Sequence, residues 1–135
     1  MYEQILLATD GSENAEVAMA HGLRIAEKFD ATVHVISVIP YVVKRDRLRY
    51  DPDKEAQKAV SSLKTKAQER SLTVVTDTPK GDPPEQILTY SQNNDIDMIV
   101  LGTHGRSGID RALIGSVAER VVRRSAIPVV TVRPE

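Results

Sequence analysis

Residues 97–116 read DMIVLGTHGRSGIDRALIGS, and the order of their parts decides the fold. Met98 to Leu101 is a short apolar run of strand length. Gly102, Gly105 and Gly115 follow at G-x2-G-x9-G spacing, Ser116 stands directly after the last glycine, and Val117 to Arg124 carries a helical pattern. A strand, a glycine-rich loop and a helix start, in that order, are the parts of a phosphate cradle. Glycines let the backbone approach an anion, and the N–H groups and positive dipole end of a helix start face the charge. A plainer reading has Gly102 and Gly105 turning the chain and Ser116 capping a helix. The place of the loop favours the cradle, because open α/β sheets bind ligands beyond the carboxyl ends of their strands.

The rest of the chain supplies the sheet around that strand. Gln4 to Thr9 (QILLAT) reads as a buried strand ended by the turn Asp10-Gly11-Ser12. A helix follows, with Ala15, Ala18, Met19, Gly22, Ala26 and Phe29 on one face. Ala31 to Ile39 (ATVHVISVI) is rich in β-branched residues and predicts the second strand, closed by Pro40. Residues 41–51 are irregular and basic. Pro52 suits the first helical position, with Ala56, Ala59, Val60, Leu63 and Ala67 as an apolar stripe. Leu72 to Thr76 is the third strand. Gly81-Asp82-Pro83-Pro84-Glu85 opens a third helix, with Asp82 as cap and Glu85 completing a capping box, which runs to Asn93. The fourth helix is expected over Ser116 to Ser125, and the last strand over Val129 to Val132. The order βαβαβαβαβ predicts a three-layer α/β/α, Rossmann-like domain over residues 1–135. Its five-stranded parallel sheet is expected in the order 3-2-1-4-5, with right-handed crossovers.

Composition narrows the partners. The 135 residues carry 18 Lys and Arg against 19 Asp and Glu, a formal charge of −1, so no global field favours nucleic acid or an anionic membrane. Without Trp, and with one Phe, there is little material for base-stacking platforms. The absence of cysteine removes disulfides and thiolate metal sites and suits a reducing compartment. The first residues, MYEQILLATDGS, do not form a signal peptide, and no apolar run has the length of a membrane span. A cytoplasmic location is expected.

In a doubly wound sheet the loops after the first and fourth strands are neighbours across the topological switch point. The first of them holds Thr9, Asp10, Gly11 and Ser12. An Asp at a strand end can hold Mg²⁺ directly or through water, since Mg²⁺ takes one or two carboxylates plus phosphate oxygens; it can also cap the helix that follows. Arg106 either places its guanidinium on a phosphate or is an exposed loop charge. Ser116 and Glu119 form Ser-x-x-Glu, a capping box that would occupy the Ser116 hydroxyl while leaving first-turn N–H groups open to an anion.

Taken together, ATDGS (8–12), GDPPEQIL (81–88), DMIVLGTHGRSG (97–108) and LIGSVAERVVRRSAIPVVTVR (113–133) resemble the universal stress protein family over essentially the whole chain. The glycine spacing is similar to that of the family's ATP-binding branch, whose fold is of the adenine nucleotide alpha hydrolase type. The resemblance implies that Thr9 and Asp10 sit beside ribose, phosphate or metal, with Ala8 close to the base. It implies that Val38 contacts adenine through its backbone. Gly102, Gly105, Arg106, Gly115, Ser116 and Val117 would line ribose and phosphates, with ATP or another adenine nucleotide and Mg²⁺ as cofactors. It further implies a homodimer joined through Val129 to Val132, and a protein partner that the residues do not name. The likeness is weakest over residues 40–55.

Other chemistries lack their signatures. The three histidines, His21, His34 and His104, have no zinc spacing. There is no Gly-x-Ser-x-Gly elbow, no Gly-x4-Gly-Lys-Ser/Thr phosphate loop, and no glycine-rich dinucleotide fingerprint after the first strand. A receiver domain would need an acidic cluster and a distal lysine, whereas only Asp10 stands at a comparable strand end. The leading expectation is an ATP-binding regulatory or stress-response protein with weak or absent catalysis, since no general base or basic cluster beyond Arg106 is evident. A slow Mg²⁺-dependent ATPase or self-phosphorylating phosphotransferase is the second, and a nucleotide-independent interaction protein the third.

Overall fold

A computed structural model of the chain describes residues 2–41, 51–104 and 114–134. Nine elements alternate along it: β1 (Gln4–Ala8), α1 (Glu13–Phe29), β2 (Thr32–Ile36), α2 (Pro52–Glu69), β3 (Val74–Asp77), α3 (Pro83–Asn93), β4 (Met98–Gly102), α4 (Ser116–Arg124) and β5 (Val129–Val132). The strands form one sheet in the order β3-β2-β1-β4-β5 with every pair parallel, the expected order.

Both faces of the sheet are covered, which is why its inner strands read as unbroken apolar runs. Ile5, Leu7, Val33, Val35 and Val100 pack with Ala18, Met19, Leu23 and Ala26 of α1 and with Val60, Leu63 and Ala67 of α2. On the opposite face Leu6, Ala8, Ile36, Ile99 and Leu101 pack with Ile87 of α3 and with Ala118 and Val121 of α4. The chain therefore winds outward from β1 in both directions. The β1–α1 and β4–α4 connections leave adjacent strands for opposite faces, and a crevice opens where they part.

Several local expectations shift. The second strand ends at Ile36 rather than Ile39, because its partner β3 ends at Asp77. Beyond it the two chains keep company through Ser37 N–H to Asp77 O (3.2 Å) and Ile39 N–H to Pro79 O (2.7 Å). The third strand starts at Val74, since Leu72 is occupied in closing α2 through its N–H to Ala67 O (3.1 Å). Phe29 is not core: as the last residue of α1 it is 48% exposed, its ring edge-on to Tyr2 at 5.1 Å, while Leu23 is buried. Asp82 makes no cap hydrogen bond. Its carboxylate lies 3.2 Å from the Arg120 guanidinium of α4, a charge contact tying the two helices of that face together. Asp51 does cap α2, accepting from Lys54 N–H at 3.2 Å, with Pro52 at the first helical position.

Candidate functional site

A cavity of about 300 Å³ opens at the carboxyl ends of β1, β2 and β4. Ala8, Thr9 and Asp10 leave β1 at its centre. On the β2 side the walls are Ile36, Ser37, Val38 and Pro40, with Pro52, Glu55 and Ala56 from the start of α2 and Pro83 and Ile87 from α3. On the β4 side they are Leu101, Gly102, Thr103 and His104, with Gly115 to Ala118 from the start of α4. Eight of the ten residues singled out from sequence thus meet around one space: Ala8, Thr9, Asp10, Val38, Gly102, Gly115, Ser116 and Val117. The other two, Gly105 and Arg106, lie outside the described residues.

The β1–α1 turn is built from its own side chains. Thr9 Oγ1 accepts from Gly11 N–H at 3.0 Å, and Asp10 Oδ1 accepts from Ser12 N–H at 2.9 Å. Gly11 sits at φ 79°, a left-handed conformation that disfavours any side chain. The N-cap of α1 is Ser12, yet its hydroxyl oxygen is buried without a hydrogen-bond partner among the described residues. Asp10 therefore organises the turn before the helix rather than capping the helix itself.

The α4 start departs from the capping-box expectation. Gly115, not Ser116, is the N-cap, its carbonyl accepting from Glu119 N–H at 3.0 Å. The Glu119 carboxylate is taken by Arg123 at 2.9 Å, and that partner, together with the neighbouring arginines, holds its carboxyl below the usual range. The Ser116 hydroxyl makes no cap bond, and among the described residues the N–H groups of Ser116, Val117 and Ala118 have no acceptor. They sit at the cavity wall, where an anion would satisfy them. The loop's two ends are tied together: Gly115 N–H donates to Thr103 O at 2.6 Å, and Thr103 N–H to Val132 O at 3.1 Å. A Cβ on Gly115 would stand 2.8 Å from that Thr103 oxygen, so close approach of backbone to backbone is what this glycine provides. At Gly102 a Cβ would meet Asn14 O and His104 O at 3.4 Å, where β4 ends against the first turn of α1.

The three histidines have separate roles. His104 lines the cavity, 4% exposed, with Nδ1 2.9 Å from Thr103 Oγ1. His34 is not at the cavity. It is buried between Tyr90 OH (2.8 Å from Nδ1) and Gln4 Oε1 (2.6 Å from Nε2), and burial pushes its pKa below the ordinary value. His21 lies on the exposed face of α1, beside Arg24. No group of three or more His, Cys, Asp or Glu side chains suited to a metal occurs among the described residues. Among the described residues two carboxylates line the cavity, Asp10 after β1 and Glu55 on α2, a set that fits Mg²⁺ carried on phosphate oxygens better than an all-protein cage. A second depression, of about 500 Å³, lies between α1 and α2 and shares only Thr9 and Glu55 with the first; both signs of charge line it, from Glu16 and Glu69 to Lys58 and Lys66. No helix among the described residues is long and apolar enough to cross a membrane.

Sequence reading missed the walls from α2 and α3. Pro52 and Pro83 offered a signal, since each marks a helix start, and in a parallel α/β sheet every helix starts at the end where the cavity lies. Ser37 offered another, as a polar break in an otherwise apolar run.

Residues 1–133 match the universal stress protein family. A universal stress protein of Methanocaldococcus jannaschii, MJ0531, is 33% identical over 141 residues, covering 98% of this chain and 83% of the relative. The solved structure of MJ0577 from the same organism superposes with a TM-score of 0.86 at 28% identity, covering 100% of this chain and 98% of the other. The structure of a universal stress protein from Archaeoglobus fulgidus in complex with dAMP shares the fold at a TM-score of 0.74 and 22% identity, with 98% of each chain covered. The chain belongs to the universal stress protein family.

Proposed function

We propose that the chain is one nucleotide-binding domain that holds ATP with Mg²⁺ in the cavity at the β1–β4 switch point, and that nucleotide occupancy biases a regulatory homodimer. The observation that carries this reading is the convergence of Thr9, Asp10, Gly102 and the open first-turn N–H groups of α4 on one space. The α4 N–H groups and helix dipole would take the phosphates, and Gly102 would let the ligand pass close to the backbone. Asp10 would hold Mg²⁺ together with phosphate oxygens, and the ion would neutralise phosphate charge. Gly105 and Arg106 would complete the phosphate contacts. Ala8 and Val38 would flank the base. That a protein of this fold was solved in complex with dAMP supports an adenine nucleotide as the ligand.

The dimer part of the reading rests on β5. This strand ends the sheet, and Val129, Val130 and Val132 are all only half-buried. Pairing with a two-fold copy would satisfy its outer backbone groups and cover these valines. The deciding experiment is calorimetric titration of the purified protein with ATP, with and without Mg²⁺. Saturable binding strengthened by Mg²⁺ supports the reading; no heat with ATP, ADP or AMP overturns it.

A further inference from the structure

Among the described residues four polar side chains are buried: His34, Ser37, Ser91 and His104. Three of them have partners. His34 bonds Tyr90 and Gln4, Ser91 donates its hydroxyl to Leu88 O at 2.7 Å, and His104 contacts Thr103. Ser37 is the exception. It is 3% exposed, its N–H donates to Asp77 O, and its hydroxyl makes no hydrogen bond with any described residue. Unlike Ser12 Oγ, which is buried and unpartnered, the Ser37 oxygen keeps contact with open space, so it is available to a ligand in the cavity it lines.

Its surroundings say what. Ser37 lines the cavity on the β2 side, where Ile36, Val38, Pro40, Ala56 and Ile87 make the walls aliphatic. Among the described residues Ser37 and Glu55 are the polar side chains of that half. The phosphate-seeking backbone N–H groups lie across the cavity on α4. A ligand spanning the two halves would carry its anionic end toward α4 and set a flat apolar body, with a hydrogen-bonding edge, between the aliphatic walls. A purine has that shape: two apolar faces and a rim of donors and acceptors.

We propose that the Ser37 hydroxyl is a base-recognition group that hydrogen-bonds the edge of the purine; this rests on the nucleotide reading above. A hydroxyl both donates and accepts, so it can turn to meet either an amino group or a ring nitrogen. No described residue pairs with the hydroxyl, so a bond to the base would replace one to water and break no bond within the described residues.

The test compares Ser37→Ala with Ser91→Ala, measuring AMP affinity by calorimetry and the melting temperature of the unliganded protein. Ser37→Ala should weaken AMP by about 3- to 10-fold, the loss of one hydrogen bond, with the unliganded melting temperature unchanged or raised. Ser91→Ala, which removes a satisfied bond away from the cavity, should lower the melting temperature and leave AMP affinity alone. The proposal is overturned if Ser37→Ala binds AMP as tightly as the parent. It is equally overturned if its unliganded melting temperature falls as far as that of Ser91→Ala, which would make Ser37 structural. If the parent protein itself does not bind AMP, the nucleotide reading fails and this one falls with it.

Discussion

Replacing Gly115 with alanine sets two effects against each other, and the geometry decides the sign. The residue sits at φ −68° and ψ 159°, which any amino acid adopts. On dihedral grounds alone, alanine should stabilise by about 0.4–1 kcal/mol through a less flexible unfolded chain. The added Cβ, however, would lie 2.8 Å from Thr103 O and 3.5 Å from His104 Cα. That oxygen is poorly placed to retreat, because it accepts the Gly115 N–H at 2.6 Å while the Thr103 N–H is bound to Val132. Overpacking costs about 1–3 kcal/mol and a weakened hydrogen bond about 1 kcal/mol, so the net loss is about 1–3 kcal/mol. For a chain of this size that is a fall of roughly 3–10 °C in melting temperature. Thermal melting followed by circular dichroism measures it, with Gly102→Ala as the comparator. There the nearest atoms are 3.4 Å away, and the shift should stay within about 2 °C. A Gly115→Ala protein melting at or above the parent would refute the reasoning. The obstacle to a larger side chain at this position lies first in the protein itself.

Three further outcomes are expected. Asp10→Asn keeps an acceptor for the Ser12 N–H but loses the charge, so the Mg²⁺ dependence of ATP affinity should weaken with little change in melting temperature; calorimetry across a Mg²⁺ series and a melt check both halves. Val130→Lys places a charge on the outermost strand and should give a monomer that still binds ATP, read by light scattering against the 14.9 kDa chain mass; a parent protein that is monomeric at every concentration contradicts the dimer. Burial lowers the pKa of His34 below 6.5, so between the folded and unfolded values the unfolded chain binds more protons. Stability from this group is complete above pH 6.5 and is lost as pH falls, and His34→Gln should flatten the melting temperature over acidic pH relative to the parent.

How much was legible depended on whether one stretch of chain carried the cause. QILLA and MIVLG are covered on both faces, so their composition alone marked them as inner strands. Strand ends are set by neighbours: β2 stops where β3 stops, which nothing in ATVHVISVI could announce. Edge position also explains the faint signal of β3, whose VVTD is buried on neither side completely. Phe29 misled because a large apolar residue at helical spacing reads as core, whereas it is the last residue of α1 and packs only partly, against Tyr2. At α4, Ser-x-x-Glu implied a cap at Ser116, but Arg123 holds the Glu119 side chain and the cap falls on Gly115. The candidate site was readable where its residues are contiguous, in 8–10 and 115–117. The parts from α2 and α3 depend on how the helices lie over the sheet, which local pattern does not encode.

The double tie at Thr103 fastens three elements at one backbone position. Thr103 N–H is bonded to β5 and its carbonyl holds the start of α4, so the two ends of the stretch from His104 to Ile114 are fastened by β4, β5 and α4. Loop-closure entropy grows only logarithmically, at about 0.6 kcal/mol for each doubling of length. In closure entropy alone, a change in the length of chain between those anchors therefore costs little, provided Gly115 is kept. The tie also couples β4, β5 and α4 at one residue, so a change that moves the Thr103 backbone would be felt in all three elements.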